Sequence, residues 1–252
     1  MYKLSKEELK DLTSIENLYY MKPILMKLEV LVEQGKVTWK SSFNRIHDVL
    51  IDSKDEVRQI LISRQKSGKI RDVSQAFKVI AGNAFSNCFI YLFLKNKLEG
   101  NIKQNIFITS KKSRVKEFNR VATIKVGKET QKPDVDLIVY KKENNGEVKK
   151  FIILSLKTSL RERAGQTYKW KLLMEIATSD NEIKNKYNII YDVSEFPLIC
   201  FATINFYNEI NNPQHRGMLK FFDKAFIAKE INNLDFIEPL SNFIEFVNEK
   251  LG

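Results

Sequence analysis

The amino-acid sequence predicts an α/β fold in which a mixed central β-sheet is flanked by helices. A long helical pattern covers residues 74–98, where apolar residues surround nearly the whole second half of the helix. From residue 105 the pattern changes to short segments rich in Val, Ile, Phe and Tyr, which are typical of strands. Helical patterns then return toward the end of the chain. Because helical segments lie on both sides of the strands in the sequence, we expect helices to cover the sheet.

Composition limits the classes of function that this chain could have. Its 42 Lys and Arg outnumber its 31 Asp and Glu, so the net charge of +11 favours an anionic partner, with nucleic acid ahead of a membrane. No apolar run reaches the roughly 18 residues that a membrane span needs, and the N-terminus lacks the apolar core of a signal peptide. Cys88 and Cys200 lie far apart in apolar surroundings, which indicates reduced thiols in a cytoplasmic protein. With two histidines and no Cys-x-x-Cys pair, a structural zinc site is not expected.

Residues 1–70 form a predicted N-terminal helical region, and residues 71–252 form the predicted domain that contains the sheet. Ser5 is suited to cap a first helix, Pro23 to begin another, and Gly35 is a suitable stop. Arginines lie between the apolar positions of the later helices. This region is therefore interpreted either as a lid packed on the main core or as a module that contacts nucleic acid.

The remaining elements are predicted in chain order. The predicted strands outside the hairpin described next are residues 106–108, 121–126, 187–191 and 198–203. The predicted helices are one from Arg163 or Gln166 to about residue 179, and two closing helices over residues 217–229 and 240–251.

A predicted β-hairpin pairs residues 132–140 with residues 151–159, and the Asn-Gly pair between them supplies the positive φ of a tight turn. In a strand, residues two apart share a face, so Asp134 and Asp136 should point the same way, as should Ser155 and Lys157. Burial of a carboxylate or an ammonium among apolar residues costs several kcal/mol unless the group is paired or holds a metal. The hairpin is therefore the predicted functional site.

These residue types suit the hydrolysis of a phosphodiester bond. That reaction needs an activated water and stabilisation of charge on the attacking and leaving oxygens, which carboxylate-bound divalent cations supply. Asp134 is suited to hold such a cation, and Lys157 to polarise the water or to steady the developing charge. The alternative interpretation is a solvated ion pair at a strand edge.

Pro133-Asp134, followed about twenty residues later by Ser155-Leu156-Lys157, resembles the active-site signature of PD-(D/E)xK nucleases, in particular type II restriction endonucleases. The resemblance covers roughly residues 74–205, and it implies a mixed sheet flanked by helices and the use of Mg²⁺. Ser155 stands where the common pattern has an acid. This variant resembles the subgroup that recognises sites built around CCGG, in which another part of the fold supplies the missing carboxylate. The implied metal ligands are Asp134, Asp136 and Glu175, with an acid of the N-terminal half as an alternative to Glu175.

The segment after Lys157 resembles the Arg-(Asp/Glu)-Arg element that reads bases in the same subgroup. Here it is Arg161-Glu162-Arg163. Arginine binds guanine O6 and N7, and an acid accepts from cytosine N4, so this element suits base reading. The same exposed helix start is predicted to carry Gln166, Thr167, Tyr168 and Lys169, which are expected to contact phosphates or bases.

The resemblance thus implies a Mg²⁺-dependent endonuclease that cuts double-stranded DNA at a short palindromic site. A homodimer is expected, because each subunit then cuts one strand, and a tetramer is the alternative assembly. The competing functions are a structure-specific or repair nuclease on the same core, and a DNA-binding module without catalysis.

Overall fold

The computed structural model describes residues 2–143, 145–160, 164–193, 196–207, 209–232 and 234–252. The chain begins with short helices, as predicted: α1 (Lys6–Glu16), α2 (Lys22–Glu33), α3 (Ile46–Asp52) and α4 (Lys54–Lys66). A capping box begins α1, because the Ser5 hydroxyl accepts the Glu8 N–H and the Glu8 carboxylate accepts the Ser5 N–H. The apolar faces of these helices pack against the long helix that follows.

That long helix, α5 (Val73–Leu98), lies between the N-terminal helices and the sheet, as its apolar pattern predicts. Asp72 caps it by accepting the Gln75 N–H, and the chain turns away at Gly100, whose φ is 81°. Contrary to the expectation from the sequence, α5 is long and apolar enough to cross a bilayer by length and composition. More than half of its most apolar window is buried inside the fold, which is the position of a core helix.

The rest of the chain alternates strands with helices. The strands are β1 (Ile106–Thr109), β2 (Ile124–Val126), β3 (Glu129–Gln131), β4 (Leu137–Lys142), β5 (Val148–Lys157), β6 (Ile189–Ile190), β7 (Leu198–Thr203), β8 (Lys224–Ile227) and β9 (Glu238–Pro239). The helices are α6 (Phe118–Val121), α7 (Ala164–Thr178), α8 (Glu182–Lys186), α9 (Pro213–Leu219) and α10 (Phe243–Leu251).

The central sheet has the strand order β1-β4-β5-β7-β8-β9. Its β1, β4 and β5 are antiparallel neighbours, whereas β5, β7, β8 and β9 run parallel. The predicted hairpin is therefore the β4–β5 pair, and its two strands lie in the middle of a mixed sheet. This arrangement confirms the predicted fold class.

Alternate residues of β4 and β5 face two separate hydrophobic cores. Val139 and Ile152 pack toward α1 to α5 and α10, whereas Ile138 and Ile153 pack toward α6, α7 and α9. All four side chains are fully buried. Helices therefore cover both faces of the sheet, and the sheet can bury apolar residues at successive positions.

Three of the differences from the sequence prediction concern the strands named above. Residues 217–229 were expected to be helical, but α9 ends at Leu219 and Lys224–Ile227 forms the interior strand β8. Residues 121–126 divide between the end of α6 and the short strand β2, which joins β3 and β6 in a second, three-stranded sheet. The strand of the hairpin that was expected from residue 132 begins at Leu137.

Candidate active site

The candidate active site lies where the β4–β5 hairpin meets the beginning of α7. Asp134 and Asp136 lie in the segment just before β4, and not within the strand as predicted. The pairing of β4 with β1 ends at Ile138 and its pairing with β5 ends at Leu137, so both aspartates lie outside the two ladders. The N–H of Asp136 donates to the Leu154 carbonyl oxygen at 3.2 Å, which holds this segment against β5.

Lys157, the last residue of β5, brings the two carboxylates together. Its Nζ donates to Oδ2 of Asp134 at 2.8 Å and to Oδ2 of Asp136 at 2.9 Å. The Lys157 side chain is 10% exposed, while those of Asp134 and Asp136 are 44% and 33% exposed. A nearly buried ammonium needs such partners, and the carboxylates keep a face open to solvent.

Asp136 is also bonded to the residues that precede Lys157. Its Oδ2 accepts the Leu156 N–H at 2.7 Å and lies 3.5 Å from the Ser155 hydroxyl. Ser155 and Lys157 both contact Asp136, as expected for residues on one face of a strand. Ser155 is fully buried, and its Oγ accepts the Thr167 hydroxyl at 3.2 Å.

These groups open into a cleft of about 830 Å³. The residues that line it are Gln131, Lys132, Pro133, Asp134, Asp136, Lys157, Lys169, Trp170 and Leu173. Lys132 and Lys169 are exposed and make no ion pair with any described residue. Three ammonium groups thus accompany two carboxylates, so the cleft suits an anion such as a phosphate.

The two carboxylates fit a hard divalent cation. Among the described residues, no hydrogen bond reaches Oδ1 of Asp134 or Oδ1 of Asp136, because every donor in this cluster is directed to an Oδ2. The described part of the chain holds no group of three His, Cys, Asp or Glu suited to a metal. Mg²⁺ is commonly bound through one or two carboxylates together with substrate phosphates and water, and this donor set agrees with that mode.

Glu175, the third predicted metal ligand, lies on α7 outside the residues that line the cleft. Its side chain is 54% exposed and pairs with Lys171 at 3.2 Å. Lys171 also donates to Asp223 at 2.8 Å; although burial lowers the Lys171 pKa, the Asp223 and Glu175 carboxylates more than offset this, so that the pKa is raised. The role of Glu175 as a ligand stays a prediction that this geometry does not support.

The predicted DNA-binding residues fall into two groups. Arg161, Glu162 and Arg163 lie outside the described residues, and so does the side chain of Gln166. Lys169 is described, and it lines the cleft beside Lys157. The structure therefore joins one predicted DNA contact to the predicted catalytic group.

Sequence reasoning missed Gln131 and Lys132, and it placed Thr167 on an exposed helix start, whereas Thr167 is fully buried. Lys132 directly precedes the Pro-Asp pair, and its position in the chain was a signal that could have been used. Gln131 ends β3 in the small sheet, and Thr167 lies in the first turns of α7. No local pattern in the sequence predicts the place of Gln131 in the cleft or the contact of Thr167 with Ser155, because both depend on how the small sheet and α7 pack on the hairpin.

Comparison with known proteins agrees with this geometry. A family model described as BsaWI restriction endonuclease type 2 matches residues 111–250, which include every residue that lines the cleft. The curated protein "Putative type II restriction enzyme MjaVIP" of Methanocaldococcus jannaschii is 29% identical over 127 residues, which are 47% of this chain and 54% of that protein. The chain thus aligns with about half the length of this relative. Because the family model covers more than half of the chain, the protein belongs to the BsaWI family of type 2 restriction endonucleases.

Proposed function

We propose that this protein is a Mg²⁺-dependent type II restriction endonuclease that cuts double-stranded DNA at a short palindromic site. The observation that carries the proposal is the cluster of Lys157 with Asp134 and Asp136 in an open, cationic cleft. Membership of a restriction endonuclease family supports the same reaction class.

Asp134 and Asp136 would hold the divalent cation through the oxygens that accept no hydrogen bond from described residues. The cation supplies activation of a water molecule and neutralisation of charge on the phosphate. Lys157 lies between the carboxylates and would steady the charge that develops on the phosphate oxygens. Since that charge is greatest in the transition state, loss of Lys157 should lower the cleavage rate more than the affinity for DNA.

Lys132 and Lys169 would hold the DNA backbone over the carboxylates. Both are exposed lysines on the wall of the cleft, and lysine is a point charge suited to a phosphate. Recognition of bases is assigned to Arg161, Glu162 and Arg163 on the strength of their sequence pattern, with a CCGG core as the proposed site. We further propose a homodimer, in which two-fold symmetry places one active site on each strand of a palindrome.

Digestion of a sequenced plasmid in Mg²⁺, with EDTA as the matched reaction, tests this proposal. We expect discrete fragments in Mg²⁺ only, and sequencing of their ends should give one short palindromic site. Cutting confined to branched DNA would replace the proposal with a structure-specific nuclease. Binding without any cutting would replace it with a DNA-binding module.

Substitution of Lys157 tests whether the cleavage seen in the digest takes place at the candidate active site. Lys157→Ala should abolish cutting while DNA binding is largely kept, and Lys250→Ala serves as the control because Lys250 lies on α10 outside the cleft. Cleavage by Lys157→Ala within tenfold of the unmodified protein would remove Lys157 from the reaction. A plasmid that lacks CCGG should remain intact, and its digestion into discrete fragments would exclude the proposed core while leaving the nuclease assignment standing.

A further inference from the structure

A chain of hydroxyl groups connects α7 to the carboxylate of Asp136. Thr167 Oγ1 donates to Ser155 Oγ at 3.2 Å, and Ser155 Oγ lies 3.5 Å from Oδ2 of Asp136, to which it donates. Thr167 and Ser155 are both fully buried. A buried hydroxyl is unfavourable unless it is hydrogen-bonded, and among the described residues Ser155 is the hydrogen-bond partner of the Thr167 hydroxyl.

The direction of the chain follows from the capacity of each group. A carboxylate can only accept, whereas a hydroxyl has one donor and two acceptor lone pairs. When Thr167 donates to Ser155, the hydroxyl hydrogen of Ser155 is left for Asp136. Successive hydrogen bonds polarise one another, so the contact from Thr167 strengthens the contact to the carboxylate.

The consequence at Asp136 is an asymmetric carboxylate. Its Oδ2 accepts from the Ser155 hydroxyl, the Leu156 N–H and the Lys157 ammonium, and its Oδ1 accepts no hydrogen bond from any described residue. Three donors on one oxygen restrict rotation of the carboxylate and leave the other oxygen available for a cation. Partners of this kind orient metal ligands and tune their affinity.

Helix propensity does not account for a threonine at this position. Thr is a poorer helix former than Ala, and the smaller Ala would also fit a fully buried position in the first turns of α7. What Thr adds is a hydroxyl on a side chain whose χ1 is restricted by β-branching. The same helix also carries Lys169 and Trp170 to the wall of the cleft.

We propose that Thr167 is a positioning residue for the cation site: acting through Ser155, its hydroxyl fixes the Asp136 carboxylate so that one oxygen faces the cation. The Thr167–Ser155 pair thus stands in place of the acid that the commoner nuclease pattern has at position 155. This inference rests on the proposed function, since it assigns the hydroxyl pair to the same site.

The test compares Thr167→Val, which removes the hydroxyl at nearly constant shape, with Thr167→Ser, which keeps it. Binding of Mn²⁺ to the DNA-free protein, followed by the electron paramagnetic resonance signal of the free ion, gives a readout that needs no turnover. We expect Thr167→Val to weaken Mn²⁺ binding about tenfold, and to raise the Mg²⁺ concentration for half-maximal cleavage by a similar factor. Thr167→Ser should keep the Mn²⁺ affinity and the half-saturating Mg²⁺ concentration of the unmodified protein. The rate at saturating Mg²⁺ should change less than the half-saturation concentration.

Thr109→Val is the matched control for the loss of a buried hydroxyl. Thr109 is 2% exposed and its hydroxyl accepts the Lys111 N–H, outside the cleft. Its variant should bind Mn²⁺ as the unmodified protein does. Ser155→Ala removes the other hydroxyl of the chain and should also weaken Mn²⁺ binding. The double variant Ser155→Ala/Thr167→Val should bind Mn²⁺ no more weakly than Ser155→Ala alone, because the first substitution already removes the hydroxyl that connects Thr167 to Asp136.

Several outcomes would overturn the inference. The inference fails if Thr167→Val or Ser155→Ala binds Mn²⁺ as the unmodified protein does. It also fails if Thr167→Ser weakens Mn²⁺ binding as much as Thr167→Val does, because the effect would then come from the lost methyl group. Absence of saturable Mn²⁺ binding in the unmodified protein would also count against it. If Thr167→Val does not fold, Ser155→Ala and Thr167→Ser decide the question. Failure of the unmodified protein to cut DNA in Mg²⁺, with Mn²⁺ binding altered as expected, would instead contradict the proposed function alone.

Discussion

The two carboxylate oxygens of Asp136 have different surroundings. Its Oδ2 accepts hydrogen bonds that stabilise the fold, and its Oδ1 is the oxygen proposed to bind the cation. Asp136→Ala should abolish cleavage and also lower the free energy of unfolding by about 1–3 kcal/mol, because it leaves the Leu156 N–H without its partner. Asp134→Ala should abolish cleavage with a smaller effect on stability, since among the described residues Asp134 accepts a hydrogen bond from Lys157 alone and its side chain is 44% exposed. Urea unfolding and plasmid digestion of both variants measure the two effects. Equal stability of the two variants would contradict this assignment.

Asn205 lies just after β7 with a φ of 49°, a conformation that few residues other than Gly adopt easily. It is 2% exposed, and its side-chain Oδ1 has no hydrogen-bond partner among the described residues. Asn205→Ala keeps the unfavourable backbone conformation, which costs roughly 1–2 kcal/mol for an L-residue, whereas Asn205→Gly relieves it. We therefore expect the Gly variant to unfold at higher urea concentration than the Ala variant. The reverse order would show that backbone strain at this position is smaller than the cost of the extra conformational freedom that Gly has in the unfolded chain.

Among the secondary structure elements, α1, α5 and β1 meet at a buried ion pair. Lys97 of α5 is fully buried and donates to Glu8 of α1 at 2.6 Å and to the Ile106 carbonyl oxygen at 2.7 Å. Lys97→Ala would leave the Glu8 carboxylate without its cation, so we expect a loss of about 3–5 kcal/mol in the free energy of unfolding.

The double variant Glu8→Leu/Lys97→Met is the control for this ion pair. It removes both charges and keeps apolar volume, so it should be considerably more stable than Lys97→Ala alone. Urea unfolding followed by circular dichroism compares the variants. If the free energy of unfolding fell at least as much in the double variant as in Lys97→Ala, the loss would come from side-chain packing and not from the unpaired charge.

Elements with a single strong local signal could be predicted from the sequence. The helix expected over residues 74–98 is α5, displaced by one residue at its start, and the Asn-Gly turn correctly identified the β4–β5 hairpin. The segment 217–229 was misjudged, because interior parallel strands are apolar at successive positions and such a run does not distinguish strand from helix. Strands β2 and β6 lie within the predicted strands 121–126 and 187–191. Their pairing with β3 in a separate sheet was not predicted, because these strands are very short and β6 comes from a distant part of the chain.

In the candidate site too, groups with a local signal in the sequence could be predicted, and groups brought in by tertiary packing could not. Asp134, Ser155 and Lys157 could be found because the hairpin that carries them is local in sequence, and the structure brings these groups together. Lys132 adjoins the Pro-Asp pair in the sequence, whereas Thr167 and Gln131 belong to the site because α7 and β3 pack beside the hairpin. Tertiary packing of this kind leaves no periodic signal in the chain.

For the molecule as a whole, buried tyrosines set an alkaline limit to stability. Burial raises the pKa of Tyr20, Tyr91 and Tyr191, and it raises that of Tyr140 to about 12. In the unfolded chain these groups lose their protons near pH 10, while the folded protein retains them, so the folded state binds more protons and stability falls as pH rises above about 10.

Urea unfolding between pH 8 and pH 11 should therefore show a steep loss of stability above about pH 10, in step with tyrosinate absorbance. Tyr140→Phe removes one of the groups responsible, and its stability should depend less steeply on pH. Tyrosinate that forms well before unfolding would contradict this explanation.

The interior position of β5 in the central sheet determines how rarely its backbone amides become exposed to solvent. From Ile152 to Leu154, β5 is bonded to β4 on one edge and to β7 on the other, while β9 at the rim has two residues and one neighbour. Amide hydrogens in such a central strand exchange with solvent only through large unfolding events, whereas those at a short edge exchange through local fluctuations. Mass spectrometry of deuterium uptake should find residues 152–154 among the slowest amides. Lys157 lies three residues beyond this segment on the same strand and is paired with Thr203 of β7, so we expect fluctuations at the rim to leave the arrangement of Lys157 and its carboxylates undisturbed.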